Sequence, residues 1–300
     1  MQLTVFSPSG AVPDFRALQL ALTRLRELGF AASRDPATMA RRQRFAGSDE
    51  ERLAAIHRVA DAAPEVAMAT RGGYGLTRLL DAVVWKKLAR SVERGTRWVG
   101  LSDFTALQLG LLAHTGAGSW AGPCAIEGFG RAEEAGGMDD VTAACFAEAM
   151  RGELEAVGFR TERGFDGLEV RGTLWGSNLA MLCSMVGTPH LPRIRGGILF
   201  FEDVNEHPYR IERMLLQLLQ AGVLGAQKAV VLGQFDAWTP SPLDRGYGLK
   251  AAVAHLRSKT RVPILTGLPF GHVPTKVTLP VGARATLAVQ GQQAFIGWGG

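Results

Sequence analysis

The sequence predicts an α/β protein, with a parallel sheet covered by helices on both faces followed by a β-rich C-terminal piece. Three observations carry this prediction. In the first half, short apolar runs alternate with segments whose apolar residues recur at helical spacing, the pattern of successive β-α units. The loops that close those runs are rich in glycine and polar side chains, as expected where ligands collect at the carboxyl ends of parallel strands. Beyond residue 277 the apolar residues alternate singly, over 278–281, 285–289 and 294–298, as in antiparallel strands.

Residues 3–6 form the first strand, closed by Ser7-Pro8-Ser9-Gly10, and Phe15, Leu18, Leu22 and Leu25 then share one helical face. A helix is expected over 48–60, with Asp49 and Glu50 in its first turn and Leu53 and Ile56 facing inward. The strand 65–69 ends in Thr70-Arg71-Gly72-Gly73-Tyr74-Gly75. Its glycines either let the backbone approach a ligand and form an anion-binding concavity, or serve only as a tight connection. After a helix over 76–84 comes the strand 98–101, which breaks at Gly100 and delivers Ser102 and Asp103 to an amphipathic helix with Phe104, Leu107 and Leu111 on its buried side. A hydroxyl at such a turn stands clear of the sheet, in front of N–H groups that favour developing negative charge. Ser and Asp are also ordinary helix caps, and the G-x-S-x-G elbow pattern is incomplete because Phe104 replaces its second glycine. Gly116, Gly118 and Gly122 follow a helix and have the wrong spacing for a dinucleotide fingerprint.

Glycine and charge dominate residues 127–166, around a helix over 139–150. That stretch is expected to connect an N-terminal domain, 1–126, to a C-terminal one, 167–300. A strand over 168–174 leads to Ser177 and Asn178, either of which suits a helix cap. The apolar strand 197–201 ends in Glu202-Asp203, and after it Ile211, Met214, Leu215, Leu218 and Leu219 mark a strongly amphipathic helix. A carboxylate at the end of a buried strand is disfavoured unless it has a partner. His207 reads as a surface loop residue. A strand over 229–232, a helix introduced by 239–242 and reaching about His255, and a strand over 262–265 lead to Gly267-Leu268-Pro269-Phe270-Gly271-His272, a backbone-restricted loop around one histidine.

The 300 residues are 47% hydrophobic, enough to bury a sizeable core, and their length suits two domains. Lys and Arg exceed Asp and Glu by 33 to 28, a formal charge of +5. The positive residues are dispersed, and Arg41, Arg42 and Arg44 lack the interleaved aromatics of a single-strand binder, so no nucleic-acid partner is expected. Cys124, Cys145 and Cys183 fit neither a disulfide framework nor a metal site, which favours a reducing compartment. The N-terminus reads as a strand instead of a secretory signal, and no run of about 18 apolar residues exists, so a soluble cytoplasmic protein without membrane contact is expected.

One hydroxyl at a strand-helix turn, one acid at a strand end and one loop histidine are the minimum for nucleophilic catalysis. The phrases R-G-G-Y-G at 71–75, G-L-S-D-F-T at 100–105, F-F-E-D-V-N-E-H-P-Y-R-I-E-R-M-L at 200–215 and G-L-P-F-G-H at 267–272 resemble, in order, the signatures of the LD-carboxypeptidase family of serine peptidases. The resemblance implies Ser102 as nucleophile, Glu202 as acid and His272 as base, with the amides of Gly73 and Asp103 as the oxyanion hole. Arg71, Gly72 and Tyr74, beside that hole, become candidate substrate contacts. It further implies a flavodoxin-like N-terminal domain related to glutamine-amidotransferase domains, and a C-terminal β-rich swivelling domain. The implied reaction is cleavage of the L-to-D bond before the terminal D-Ala of murein tetrapeptide during cytoplasmic cell-wall recycling, by a homodimer, with no metal or cofactor. A microcin-immunity branch of the family, acting on amides of nucleotide conjugates, remains open, with Trp175 and Trp238 as candidate stacking surfaces. So do a non-catalytic binding relative and a Cys124 nucleophile.

Overall fold

The computed structural model of the chain describes residues 1–299. In order, the chain forms β1 (Gln2–Phe6), α1 (Phe15–Glu27), β2 (Ala31–Arg34), α2 (Asp49–Ala62), β3 (Val66–Ala69), α3 (Trp85–Glu93), β4 (Arg97–Gly100), α4 (Thr105–Thr115), β5 (Ser119–Ala121) and α5 (Asp140–Arg151). It continues with β6 (Ala156–Arg160), β7 (Glu169–Asn178), α6 (Leu179–Ser184), β8 (Ile198–Val204), α7 (Pro208–Gln220), β9 (Ala229–Asp236), α8 (Leu249–Lys259), β10 (Ile264–Leu265), β11 (Leu279–Val281), β12 (Arg284–Gln290) and β13 (Gln293–Trp298). Two compact units result, one of Met1–Leu154 with Pro274–Val281, the other of Glu155–Val273 with Gly282–Gly300. Among the described residues no helix is long and apolar enough to cross a membrane.

The first unit is built on a six-stranded sheet in the order β11-β5-β4-β3-β1-β2. Strands β1 to β5 are mutually parallel, and β11 closes the edge antiparallel to β5. The order 2-1-3-4-5 is that of flavodoxin-like folds, whose ligand crevice opens where the winding reverses between β1 and β3. The loops 7–10 and 70–75 both leave the sheet there. Helices start where the sequence offers caps: Ser48 and Glu51 form a reciprocal capping box at α2, and Asp14 and Asp139 cap α1 and α5. The expected helix over 76–84 is instead two 3-10 turns, Leu76–Arg78 and Leu80–Ala82. Helix α4 is buried along its whole run from Thr105 to Leu111, so its apolar character is not confined to one stripe.

Two expectations are corrected here. Residues 127–154 are not a connection, because α5 belongs to the first unit, with Ala143, Phe146, Ala147 and Met150 in its core. The Phe146 ring meets Phe30 at 5.5 Å and Phe129 at 5.2 Å. The glycine-rich stretch before the helix obscured this periodic apolar face. Residues 279–281 likewise are not part of the β-rich closing piece, since Leu279 and Val281 pair with Ala121 and Ser119 of β5.

The second unit has a seven-stranded sheet, β10-β9-β8-β7-β12-β13-β6. Its β10-β9-β8-β7 side is parallel and its β7-β12-β13-β6 side antiparallel. Strand β7 serves both, with Glu169–Thr173 against β12 and Leu174–Asn178 against β8. The sequence pattern changes accordingly: β6, β12 and β13 alternate buried and exposed residues, whereas β8 is buried from Ile198 to Asp203. One solvated face explains the alternation, and burial on both faces explains the continuous apolar run. The helix expected to start at 239–242 is a 3-10 turn, Pro242–Asp244, separated from α8.

Phe146→Ala is expected to destabilise the protein by about 3–5 kcal/mol, the usual cost of emptying a packed aromatic site. Urea unfolding measures this, and a loss below about 1 kcal/mol would show that α5 is a connection after all.

Candidate active site

The first unit presents Ser102 at the carboxyl end of β4. Leu101 is still extended, with φ −141° and ψ 170°, and Ser102 then takes φ 67° to open the 3-10 turn Ser102–Phe104 that feeds α4. A positive φ is uncommon outside glycine and costs of order 1 kcal/mol or more, so the surrounding packing must hold it. Part of that packing is the residue that broke the elbow pattern. A Cβ on Gly100 would lie 2.6 Å from the Phe104 ring, so Phe104 covers Gly100 directly, and its ring meets Phe6 at 6.2 Å. The other part is Gly72, where a Cβ would come within 2.5 Å of the Ser102 Cβ and 2.7 Å of its Oγ. Only glycine lets the 71–75 loop lie this close to the hydroxyl. Gly10 N donates to the Gly72 carbonyl at 3.2 Å, joining that loop to the one after β1.

Around this turn, Arg71 pairs with Glu127 at 3.8 Å and donates to the Ala11 carbonyl. Tyr74 is 42% exposed beside Phe45 and Arg44, and Gly73 is exposed. Asp103 is buried, and its carboxylate accepts from Ser9 Oγ and from the Leu76 amide. Cys124 is unsuited to be the nucleophile, because it is buried and burial pushes its thiol far above the ordinary range.

The second unit presents the acid and the imidazole. Glu202 lies fully buried near the end of β8 and its Oε2 accepts from His272 Nδ1 at 2.7 Å. A carboxylate on Nδ1 fixes the imidazole tautomer, making Nε2 the basic nitrogen. The other oxygen, Oε1, accepts from Asn178 Nδ2 at 3.0 Å, and the same nitrogen reaches Asp203 Oδ1 at 3.1 Å. Consecutive strand residues ordinarily face opposite ways. The pairing of β8 with β9 slips between Phe201 and Asp203, and the two carboxylates meet at one amide. Asn178 is itself the N-cap of α6, with Oδ1 accepting from Met181 N at 3.0 Å, which orients its NH₂ toward the acids. Burial, then the neighbouring Glu202 charge, push the Asp203 carboxyl up to about 6.

The loop carrying His272 is tied to β9, with Gln234 N donating to the Phe270 carbonyl at 2.8 Å and its side chain to Leu268. Phe270 is buried edge-on against Phe200 at 5.2 Å. His207, expected in a surface loop, caps α7 and holds Asp244 at 3.0 Å. Trp175 is fully buried and donates to Gln227, so it offers no stacking surface. Trp238 is half-buried and edge-on to His207 at 5.0 Å.

The first unit thus holds a strained serine beside a glycine loop, and the second an oriented glutamate–histidine pair. Sequence reasoning missed Ser9 and assigned Asn178 only a capping role. A serine three residues beyond the end of β1, at the winding reversal, was the available signal for Ser9.

Both units have counterparts among known proteins. Residues 3–122 match the LD-carboxypeptidase N-terminal domain and residues 171–287 the LD-carboxypeptidase C-terminal domain. The chain is 32% identical to a putative carboxypeptidase of Streptomyces coelicolor, over 95% of this chain and 90% of that protein. It is 30% identical to a murein tetrapeptide carboxypeptidase of Pseudomonas aeruginosa, over 83% and 80% respectively. The crystal structure of a muramoyltetrapeptide carboxypeptidase from Oxalobacter formigenes superposes with a TM-score of 0.91 at 42% identity, covering 100% of this chain and 99% of the other.

The raised Asp203 carboxyl sets a pH dependence of stability. Its folded value lies above the unfolded one, so its contribution is fully present below about pH 4 and lost as pH rises through about 6. The loss should be of the order of 3 kcal/mol. Unfolding free energies of wild type and Asp203→Asn between pH 4 and 7 should therefore differ in slope, and parallel curves would contradict this.

Proposed function

Because this chain belongs to the LD-carboxypeptidase family, we propose that it is a serine carboxypeptidase that releases the terminal D-Ala of murein tetrapeptide by cleaving the L-to-D peptide bond. The observation that carries the chemistry is the 2.7 Å bond from His272 Nδ1 to a buried Glu202, which prepares Nε2 as a base. Ser102 Oγ attacks the scissile carbonyl and its proton passes to His272 Nε2. Negative charge then develops on the carbonyl oxygen, where the amides of Gly73 and Asp103 serve as donors. One such donor is typically worth about 3 kcal/mol of barrier. His272 returns the proton to the departing D-Ala amine, and the same steps with water release the shortened peptide. Glu202 stabilises the imidazolium in both halves of the reaction.

The substrate assignment is supported by the names of the relatives at 30% and 42% identity. Arg71, Gly72 and Tyr74 are assigned as substrate contacts because they adjoin Ser102 in the glycine loop. Burial of Trp175 counts against the microcin-type alternative, since it removes one of the two aromatic surfaces on which a nucleotide base could stack. We place the reaction in the cytoplasm, in cell-wall recycling, in keeping with three buried, unpaired cysteines. The active form is proposed to be a homodimer, by family resemblance.

Mass detection of free D-Ala from the tetrapeptide tests the assignment. Ser102→Ala should lower turnover roughly 10³-fold or more, and undiminished turnover would refute the nucleophile. Faster hydrolysis of an aminoacyl sulfamoyl adenylate than of the tetrapeptide would favour the microcin-type reading. Light scattering at micromolar concentration should give twice the chain mass of 32.1 kDa, whereas a monomer mass would contradict the dimer.

A further inference from the structure

The Asp103 carboxylate lies beside the proposed nucleophile yet has no part in the steps above. We propose that it is a positioning group, which holds the 71–75 loop and the loop after β1 in register with Ser102 so that the oxyanion donors are in place before substrate arrives. The inference rests on the assignment of Ser102 as nucleophile.

Three segments converge on one oxygen. Asp103 Oδ2 accepts from Ser9 Oγ at 2.7 Å and from the Leu76 amide at 2.9 Å, and its own backbone continues directly from Ser102. These segments lie far apart in sequence, with 94 positions separating Ser9 from Asp103 and 27 separating Leu76 from it. Ser9 is fully buried and Asp103 is 1% exposed, so water does not compete for these bonds. Burial pushes the Asp103 carboxyl above its ordinary value, while the Ser9 hydroxyl and the Leu76 amide act in the opposite direction. A neutral amide could fill the same space without the cost of a buried charge. The carboxylate adds strength, because hydrogen bonds to an ionised acceptor are about twice as strong as neutral ones.

Arg52 adds a nearby positive charge that favours the ionised Asp103 carboxyl. It is fully buried, donates to the Pro8 carbonyl at 3.0 Å and pairs with Asp49 at 2.5 Å. A Cβ on Gly75 would lie 2.6 Å from its Nη1, so the guanidinium is packed against the glycine loop itself. The loop is therefore held by Asp103 through Leu76, by Arg52 at Gly75 and by Gly10 at Gly72. Because Gly72 touches Ser102 without room for a methyl group, any slip of this loop moves the Gly73 amide relative to the nucleophile. Those donors act on charge that exists only in the transition state, so loosening them should reduce kcat and leave substrate binding unchanged.

The test assays D-Ala release from the tetrapeptide by Ser9→Ala, Asp103→Asn, the double variant and Ser102→Ala. Each of the first two should lower kcat about 10- to 100-fold, the cost of a small misplacement of a catalytic group, with KM within about twofold. Since both substitutions weaken the same bond, the double variant should fall no more than about threefold below the weaker single. Unchanged kcat, a loss confined to KM, or losses that multiply in the double variant would each overturn the proposal. Should Asp103→Asn fail to fold, Ser9→Ala decides alone, and full kcat in it overturns the proposal. Turnover surviving in Ser102→Ala would locate the error in the nucleophile assignment instead.

Discussion

A hydroxyl stands clear of a parallel sheet only if the chain turns sharply at the residue that carries it, and Ser102 meets this demand by entering the left-handed region at φ 67°. No L-residue adopts that conformation without cost, so the first unit must over-determine it. Phe104 covers Gly100 on one side of the turn, Gly72 closes against the serine on another, and the Asp103 carboxylate ties the turn to two further loops. Each restraint requires a particular residue. A methyl group at either glycine would collide with an atom that the turn needs in place.

The second unit meets an electrostatic constraint. Two adjacent carboxylates, Glu202 and Asp203, are buried within the same strand end, where unpaired negative charge is unfavourable. Asn178 lies between them with one NH₂ shared by both, the Val204 amide donates to the same Asp203 Oδ1, and the Ala180 amide donates to Oδ2. This arrangement leaves Glu202 Oε2 for His272. The parallel half of the sheet makes such burial possible, because β8 is covered on both faces, whereas the antiparallel half keeps one face in solvent. Strand β7 belongs to both halves and ends in the asparagine that serves the acids.

Much of this was legible in the linear chain. Alternating apolar runs and helical periodicities located most of the strands and helices, because burial on a sheet or a helix face imposes a period that short windows display. Ser102, Glu202 and His272 were candidates because each lies at or just beyond an apolar run, and the resemblance to the family signatures joined them. Errors arose where local composition and tertiary burial disagree. The glycines and charges before α5 led that expected helix to be assigned to a connection although its Phe146 is a core residue, and residues 279–281 look like their neighbours in β12 and β13 but pair with β5.

The sequence by itself determined the α/β class, the kinds of residue available for chemistry and the loops that carry them, since these follow from composition and period within a few residues. Only the tertiary structure decided that Ser9 and Leu76 meet Asp103, that one amide of Asn178 serves two carboxylates and that His272 presents Nδ1 to Glu202. Those contacts join residues 24 to 94 positions apart. A hydrogen bond depends on positions in space to within a few tenths of an ångström, and the spacing of residues along a chain holds no such information until the sheets have formed.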